Sequence, residues 1–188
     1  MDGMKVRARM LLMAVVMFSA TVSGQELAVK TNLLSDAIAV PSVGVEYAFA
    51  PRWTVNADAE WMPFYRAHNH YLRTLKVQPE ARFWFRTPFA GPFVGPSVGW
   101  RVFNMGGLPV FDLKNERIQG NLWTAGATAG WHFTLSDHLG LEPAVSLGYG
   151  YADYKRYAEP RSRRPVEHSY QHYIGPIALS LYLVYMLY

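Results

Sequence analysis

No cysteine occurs among the 188 residues of this chain. This absence excludes disulfide bonds, a thiolate nucleophile, zinc sites of the cysteine type and a lipidated cysteine that would anchor a lipoprotein. Charged residues are also scarce, at 17% of the chain, whereas about 25% is usual for a soluble domain. Hydrophobic residues make up 51% and aromatic residues 15%. Too little charge remains to cover a water-facing surface, so any attachment to a membrane must come from the fold.

The chain also lacks an apolar run of the length that a membrane-spanning helix needs, about 20 residues. Its N-terminus carries basic residues, a short apolar run over residues 10–18 and then small residues up to Gly24. This order is typical of a secretory signal peptide. We expect a signal peptide over residues 1–24, cleaved near Gly24, followed by a single mature domain over residues 25–188. An uncleaved N-terminal anchor is the alternative.

Removal of that segment changes the charge balance. It takes away Lys5, Arg7, Arg9 and Asp2, so the formal net charge falls from the +4 of the whole chain to +2. Because most of the excess positive charge lies in the signal peptide, nucleic-acid binding loses its compositional support. We expect no nucleic-acid partner.

The mature sequence alternates apolar and polar residues with a period of two, which indicates β-strands. The stretch over residues 53–62, for example, sets Trp, Val and Ala against Thr, Asn, Asp and Glu. The alternation recurs in segments of about nine to twelve residues, the length that a tilted strand needs to cross a bilayer. Eight strands are predicted, near residues 28–38, 42–50, 53–62, 74–85, 93–102, 118–134, 139–152 and 173–188.

The last strand is long, apolar and uncharged, and as an open sheet edge it would recruit other chains. Pairing of residues 177–188 with the first strand would close the sheet and remove that edge. The sequence therefore predicts an all-β fold, an eight-stranded antiparallel transmembrane β-barrel preceded by a cleavable signal peptide. Such a barrel would be an integral monomer in the outer membrane of a Gram-negative bacterium, with its N-terminus in the periplasm.

The connections support this location because short turns alternate with long polar loops, as in outer-membrane barrels. The short turns are predicted at residues 50–52, 86–92 and 136–138, and the long loops at 63–73, 103–117 and 153–172. The rival interpretation is a soluble calyx, which would bury the same apolar face. Small residues on the polar faces of the sixth and seventh strands, and Trp and Tyr near strand ends, favour the membrane barrel.

If the apolar face meets lipid, the charged residues of the other face point into the barrel. Eight strands enclose a space that side chains just fill, and an unpaired charge there is costly, so opposite charges should pair. We therefore expect an ion-paired lumen without a continuous pore. An acid/base couple made of Asp58 and Glu60 is the functional alternative. The predicted network comprises Lys30, Glu46, Asp58, Glu60, Lys76, Glu80, Arg82, Arg101 and Glu142.

Enzymatic chemistry is weakly supported by the sequence. Some barrels of this size modify lipid A, as deacylases or acyltransferases, and they need a His, a Ser and a carboxylate in reach of one another. His132 and Thr134 have a suitable spacing, but Thr replaces Ser. A loose set could also be assembled from His68 or His172, Asp153 and Ser169. We assign no catalytic residue and no cofactor, and keep a lipid A-modifying enzyme as the alternative function.

Four histidines fall in two predicted outer loops. Their spacings are weak signals for a metal, so solvated histidines are the default and no metal site is assigned. These histidines are His68, His70, His168 and His172.

A group of cations in the longest predicted loop would stand at the height of lipopolysaccharide phosphates. Arginine matches phosphate oxygens well, so we expect contacts with outer-membrane lipid and lipopolysaccharide, and a solvated loop is the alternative. The group comprises Lys155, Arg156, Arg161, Arg163 and Arg164.

Three motifs carry a family resemblance: KTNLL at residues 30–34, GVEYAFAPRWT at 44–54 and, above all, QPEARFWF at 78–85. With them the chain resembles a family of small outer-membrane barrel proteins of anaerobic Gram-negative bacteria, catalogued as a domain of unknown function. The resemblance implies the barrel and its location but no activity. It also implies a link to fimbriae or to an adhesin and its assembly. The predicted function is a structural or surface-interaction role through the outer loops.

Overall fold

The computed structural model describes residues 27–67, 70–107, 116–158 and 164–187, without the side chains of 64–67, 70 and 71. The predicted signal peptide lies outside these residues. Within them no helix has the length and apolar character needed to cross a membrane. The elements are β1 (Leu27–Asn32), α1 (Leu33–Ala37), β2 (Ser42–Ala50), β3 (Trp53–Ala67), β4 (His70–Trp84), β5 (Gly91–Gly106), β6 (Arg117–Thr134), β7 (Leu139–Tyr157) and β8 (Glu167–Leu187).

Each strand pairs antiparallel with the next, and β8 returns to pair with β1, so the sheet closes into a barrel. In this closing ladder Leu27 lies opposite Leu187 and Asn32 lies opposite Tyr182. The predicted all-β fold of eight antiparallel strands is confirmed, as is the closing role of the last strand. Closure satisfies the backbone groups that two free sheet edges would otherwise expose.

The structure also decides which face of the sheet points inward. On β2, Val43 and Val45 are 54% and 46% exposed, whereas the intervening Gly44 and the following Glu46 are buried. The same alternation places polar side chains in the lumen and apolar ones on the outer wall of the other strands. A calyx that buries the apolar face needs the reverse arrangement, so the apolar interior of the rival interpretation is wrong.

The prediction of a strand over residues 28–38 is wrong in its second half. β1 ends at Asn32, whose side chain accepts a hydrogen bond from the backbone N–H of Leu34 and caps α1. Such a cap satisfies one of the free N–H groups at a helix start. The helix brings the hydroxyl of Ser35 within 2.9 Å of Glu60 Oε1, to which it donates. This short helix therefore belongs to the lumen contents rather than to the barrel wall.

The predicted long loops are also partly wrong, because the strands continue beyond the apolar stretches. The β7–β8 ladder extends as far as Arg156 opposite Glu167, so most of the predicted loop at 153–172 is strand. Once two strands are paired, further backbone hydrogen bonds form without any need for apolar side chains. Lys155 and Arg156 therefore lie on β7 and not in a loop.

Candidate functional site

Arg82 stands at the centre of a buried charge cluster in the lumen. Its Nη1 lies 2.8 Å from Glu46 Oε2 and 2.6 Å from Glu142 Oε1, and its Nη2 lies 2.7 Å from Glu80 Oε2. Lys30 Nζ forms ion pairs with Glu46 and, at 2.9 Å, with Glu142. The five side chains come from β1, β2, β4 and β7 and are fully or almost fully buried. We call this set the lower charge layer.

A second layer lies above it, toward the end of the barrel that carries the longer connections. Lys76 Nζ lies 3.2 Å from Glu60 Oε1 and 3.4 Å from Asp58 Oδ2. Arg101 Nη2 lies 2.9 Å from Glu60 Oε2, and the Arg101 side chain is 30% exposed. These four residues form the upper charge layer, and Arg101 marks its solvent side.

The structure thus brings all nine residues of the predicted network together, as five carboxylates and four cations. Paired charges can remain in a narrow lumen that water does not fill. Asp58 and Glu60 both pair with Lys76, so they are held by a cation rather than left to exchange a proton with a substrate. The arrangement fits a plug better than an acid/base couple.

Aromatic side chains close the lumen at the short-turn end. Trp84 and Phe93 have ring centroids 4.9 Å apart, and Phe89 packs on Trp84 at 5.8 Å. The indole N–H of Trp84 donates to Thr54 Oγ1 at 3.0 Å, and the Arg82 guanidinium lies 4.4 Å from the Phe93 ring centroid. Trp84 shares the lumen face of β4 with Glu80 and Arg82, and together with Phe89 and Phe93 it forms what we call the aromatic seal, which the sequence did not indicate.

Among the residues that the structure describes, no histidine forms a triad with a serine and a carboxylate. His168 Nε2 lies 2.6 Å from Asp153 Oδ1, but the neighbouring Ser169 donates its hydroxyl to Glu167. Because consecutive residues of a strand point to opposite faces, Ser169 and His168 face opposite sides of the sheet. His132 lies buried in the lumen, with its Nδ1 3.4 Å from Glu142 Oε2.

Metal binding finds no support in the part of the chain that the structure describes, where no group of three His, Asp or Glu side chains could hold an ion. His172 pairs with the Tyr149 hydroxyl. His68 and the side chain of His70 lie outside the described residues.

The two described cations of β7 in the predicted phosphate-binding group do not share a face of the sheet. Lys155 and Arg156 are neighbours on β7 and point to opposite faces of the sheet. Arg156 Nε lies 3.6 Å from Glu116 Oε2, and both side chains are partly exposed. Arg164 follows in the connection to β8, while Arg161 and Arg163 lie outside the described residues.

The outer wall carries two levels of exposed aromatic side chains. Trp53 and Trp61 mark them on β3, and Trp131 and Trp123 mark them on β6. In both strands the two residues are eight positions apart, which is about 27 Å along a strand. At a strand tilt of about 40°, this length corresponds to a distance of roughly 20 Å along the barrel axis. Between them β6 presents small apolar side chains, among them the exposed Ala127.

A family model described as "Protein of unknown function (DUF3575)" matches residues 10–187. The chain belongs to the DUF3575 family. No curated protein matches the sequence of this DUF3575 chain. The expected membership of a family of unknown function is confirmed, whereas the outer membrane and the fimbrial link stay predictions.

In this DUF3575 protein, the motif at residues 78–85 supplies much of the lumen. Its alternate positions place Glu80 and Arg82 in the lower charge layer and Trp84 in the aromatic seal. The motif at 30–34 begins with Lys30, which joins the same layer. Alternate residues of the three motifs therefore fill the barrel, while others, such as Val45 and Phe85, are exposed on the outer wall.

Proposed function

We propose that this protein is an integral outer-membrane β-barrel with a structural or surface-interaction role at its outer end. The observation that carries the proposal is the outer wall, an apolar belt between two aromatic levels. The height of roughly 20 Å between the marker tryptophans is close to the apolar band of about 25 Å that outer-membrane barrels show between their aromatic girdles. A water-facing sheet has no reason to expose so many large apolar side chains in one band.

The lumen supports a role as an anchor rather than as a channel. The lower charge layer and the aromatic seal occupy the cross-section with buried side chains such as Arg82, Glu142 and Trp84. The end with short turns would face the periplasm together with the start of β1, and the end with longer connections would face outward.

The surface role belongs to this outer end. Lys155 on the outer face of β7 and Arg164 in the connection to β8 would contact lipopolysaccharide phosphates, each as a separate point of attachment. Arg156 lies on the lumen face of β7, so the proposed phosphate contact does not include it. The family resemblance adds a surface protein such as a fimbrial subunit or an adhesin as a partner.

Membrane insertion is tested by a charge placed in the middle of the apolar belt. We expect Ala127→Arg to lower the free energy of unfolding in lipid vesicles by about 2–4 kcal/mol, since an arginine on the lipid face is most costly at the bilayer midplane. The matched control is Gln119→Arg, which changes an exposed residue on the same face of β6 but beyond the outer aromatic level. We expect the control to stay within about 1 kcal/mol.

Urea titration followed by tryptophan fluorescence measures both variants. Equal small effects, within about 0.5 kcal/mol as on an ordinary water-facing surface, would refute the proposed insertion. Cell fractionation provides the independent check, because the folded protein should stay with the outer membrane and change its electrophoretic mobility on heating. Release by osmotic shock would contradict it.

The surface role needs a separate experiment. A photo-cross-linking residue at position 155 should capture lipopolysaccharide or a surface protein in intact cells, and one at position 127 should capture only lipid or the membrane-facing surface of neighbours. Identical products from both positions would speak against a specific role of the outer end.

A further inference from the structure

The outer mouth of the barrel contains a cavity that the proposed function does not use. It has a volume of ≈ 320 Å³ and opens toward solvent, a size within the range of small-molecule sites, about 300–1,000 Å³. We call this cavity the mouth cup. Its apolar walls are formed by Phe103, Ile118, Leu122, Tyr154 and Tyr173.

The register of the strands explains why these walls face one another. Phe103 lies opposite Gly120, and Gly120 lies opposite Tyr154, so the three form one row across β5, β6 and β7. A Cβ at Gly120 would lie 2.1 Å from the Asp153 carbonyl oxygen, so the close approach of the two strands requires glycine. This glycine lets β7 pack closely against β6 beside Phe103, and the cavity lies on the lumen side of this row.

Tyr173 is held against the wall and does not fill the cup. A Cβ at Gly150 would lie 2.3 Å from the Tyr173 ring, so the ring packs directly over this glycine. The Tyr173 hydroxyl donates to the Pro176 carbonyl oxygen at 2.8 Å. The aromatic ring is therefore a fixed part of the wall.

The inner end of the cup adjoins the upper charge layer, and its rim carries one arginine. Leu122 lies at this inner end, opposite Arg101 of the upper charge layer, while Ile118 lies four residues nearer the rim, about 13 Å along the strand. Beside Ile118 stands Arg156, which also lines the cavity. The cup is thus an apolar pocket with one arginine at its opening, and that arginine has Glu116 and Glu167 as neighbours.

Arg156 has donor capacity left for a ligand. Its ion pair with Glu116 is 3.6 Å long and partly exposed, which makes it weak. Glu167, the residue opposite Arg156 on β8, accepts a hydrogen bond from the Ser169 hydroxyl at 2.6 Å. A guanidinium carries five N–H donors and binds carboxylates in a forked geometry.

We infer that the mouth cup binds a single-chain anionic amphiphile, with its apolar chain between Phe103, Tyr154 and Tyr173 and its carboxylate on Arg156. The apolar walls account for the chain, and the rim arginine accounts for the charge of the head. A lipid of the surrounding bilayer lies outside the barrel wall, so the ligand is a free amphiphile that enters from solution. The inference rests on the closed barrel and not on what surrounds its outer wall.

The test is a titration of the full mature chain in zwitterionic lipid nanodiscs with decanoate. Methyl NMR signals of Ile118 and Leu122 report binding in the cup itself and separate it from partition into the disc. Decanol and decyltrimethylammonium carry the same chain with neutral and positive heads. We expect decanoate to bind at least about fivefold more tightly than either, as one exposed charge-assisted contact allows.

Two variants and one control test the assigned residues. Ala152→Phe fills the cup from β7 and should abolish the methyl shifts, while Arg156→Gln should weaken decanoate binding about fivefold and leave decanol unchanged. Lys155→Gln removes the same charge from the neighbouring residue on the opposite face and should leave decanoate binding unchanged. The fold of each variant is checked by its far-UV circular dichroism and thermal midpoint.

The proposal is overturned if Ala152→Phe folds and still shows the shifts, or if Lys155→Gln and Arg156→Gln weaken binding equally. It is also overturned if phosphatidylglycerol in the disc shifts the same signals without decanoate, because the site would then take a membrane lipid. Failure of the chain to insert into nanodiscs would count against the proposed function alone. The same titration would then be made with the protein in buffer.

Discussion

Replacement of Arg82 by methionine gives the sharpest test of the charged lumen. Arg82 contacts three carboxylates, those of Glu46, Glu80 and Glu142, and its side chain is fully buried. Methionine keeps a flexible apolar chain of similar length but removes the charge. The variant leaves three carboxylates in the lower charge layer with Lys30 as the remaining cation of that layer.

The size of the effect follows from the burial of these groups. Removal of one partner from a buried ion pair costs about 3–5 kcal/mol, because the other charge is left without compensation. A domain has only about 5–15 kcal/mol of stability in total. We expect Arg82→Met to lose about 3–5 kcal/mol, which is about a hundredfold to a few thousandfold in the folding equilibrium.

The assay is reversible urea unfolding of the refolded protein in detergent micelles, followed by tryptophan fluorescence. Arg73→Met is the matched control because Arg73 lies on the same strand, β4, and its side chain is exposed. A surface change of this kind should stay within about 0.5 kcal/mol. A loss for Arg82→Met no larger than that of the control would refute the reasoning that the network holds the barrel together.

A second substitution separates lost charge from lost packing. Glu142→Gln in the Arg82→Met background neutralises one of the three carboxylates that lost Arg82, so the double variant should be at least about 1 kcal/mol more stable than simple addition of the two single losses predicts. Simple additivity would show that Arg82 acts through its contact with Phe93 and not through the carboxylates.

Two further predictions concern the packing of the barrel. Gly126→Ala should lower the free energy of unfolding by about 1–3 kcal/mol, because the new Cβ would lie 2.1 Å from the Leu147 carbonyl oxygen. Gly44→Ala should be tolerated, because the nearest neighbours of its new Cβ would be 3.4 Å away. Equal urea midpoints for the two variants would contradict this. In planar bilayers the reconstituted protein should show no discrete conductance steps, since the buried side chains of the lower charge layer fill the lumen, and regular steps would show that the plug is not closed.

The strand pattern was predictable because alternation is a local property. β2 runs over Ser42–Ala50, the range that the alternation predicts, and β3 begins at the predicted Trp53. α1 was missed although Leu33-Leu34-Ser35-Asp36 breaks the alternation directly after a capping asparagine. The lengths of β7 and β8 were underestimated, because a ladder between paired strands continues through polar residues.

The lumen was predictable as a set of residues but not as a set of contacts. Residues on one face of each strand must share the interior once the sheet closes, so the nine charged positions could be named from the sequence. Which cation meets which carboxylate depends on the register between strands that are far apart in the chain. Lys30 and Glu142, for example, are 112 residues apart and lie 2.9 Å from one another.

The period of two by itself determined that this chain forms strands with one apolar and one polar face. The absence of cysteine excluded disulfide bonds, and the scarcity of charge left too little to cover a water-facing surface. Only the closed tertiary structure decided that the polar face is inside, because alternation is symmetrical between the two sides of a sheet. Closure likewise produced the mouth cup, since Phe103 of β5 and Tyr173 of β8 line one cavity although two strands separate them in the sheet. The physical reason is that local sequence sets the direction of each side chain relative to its own strand, whereas the register and closure of eight strands set what each side chain meets.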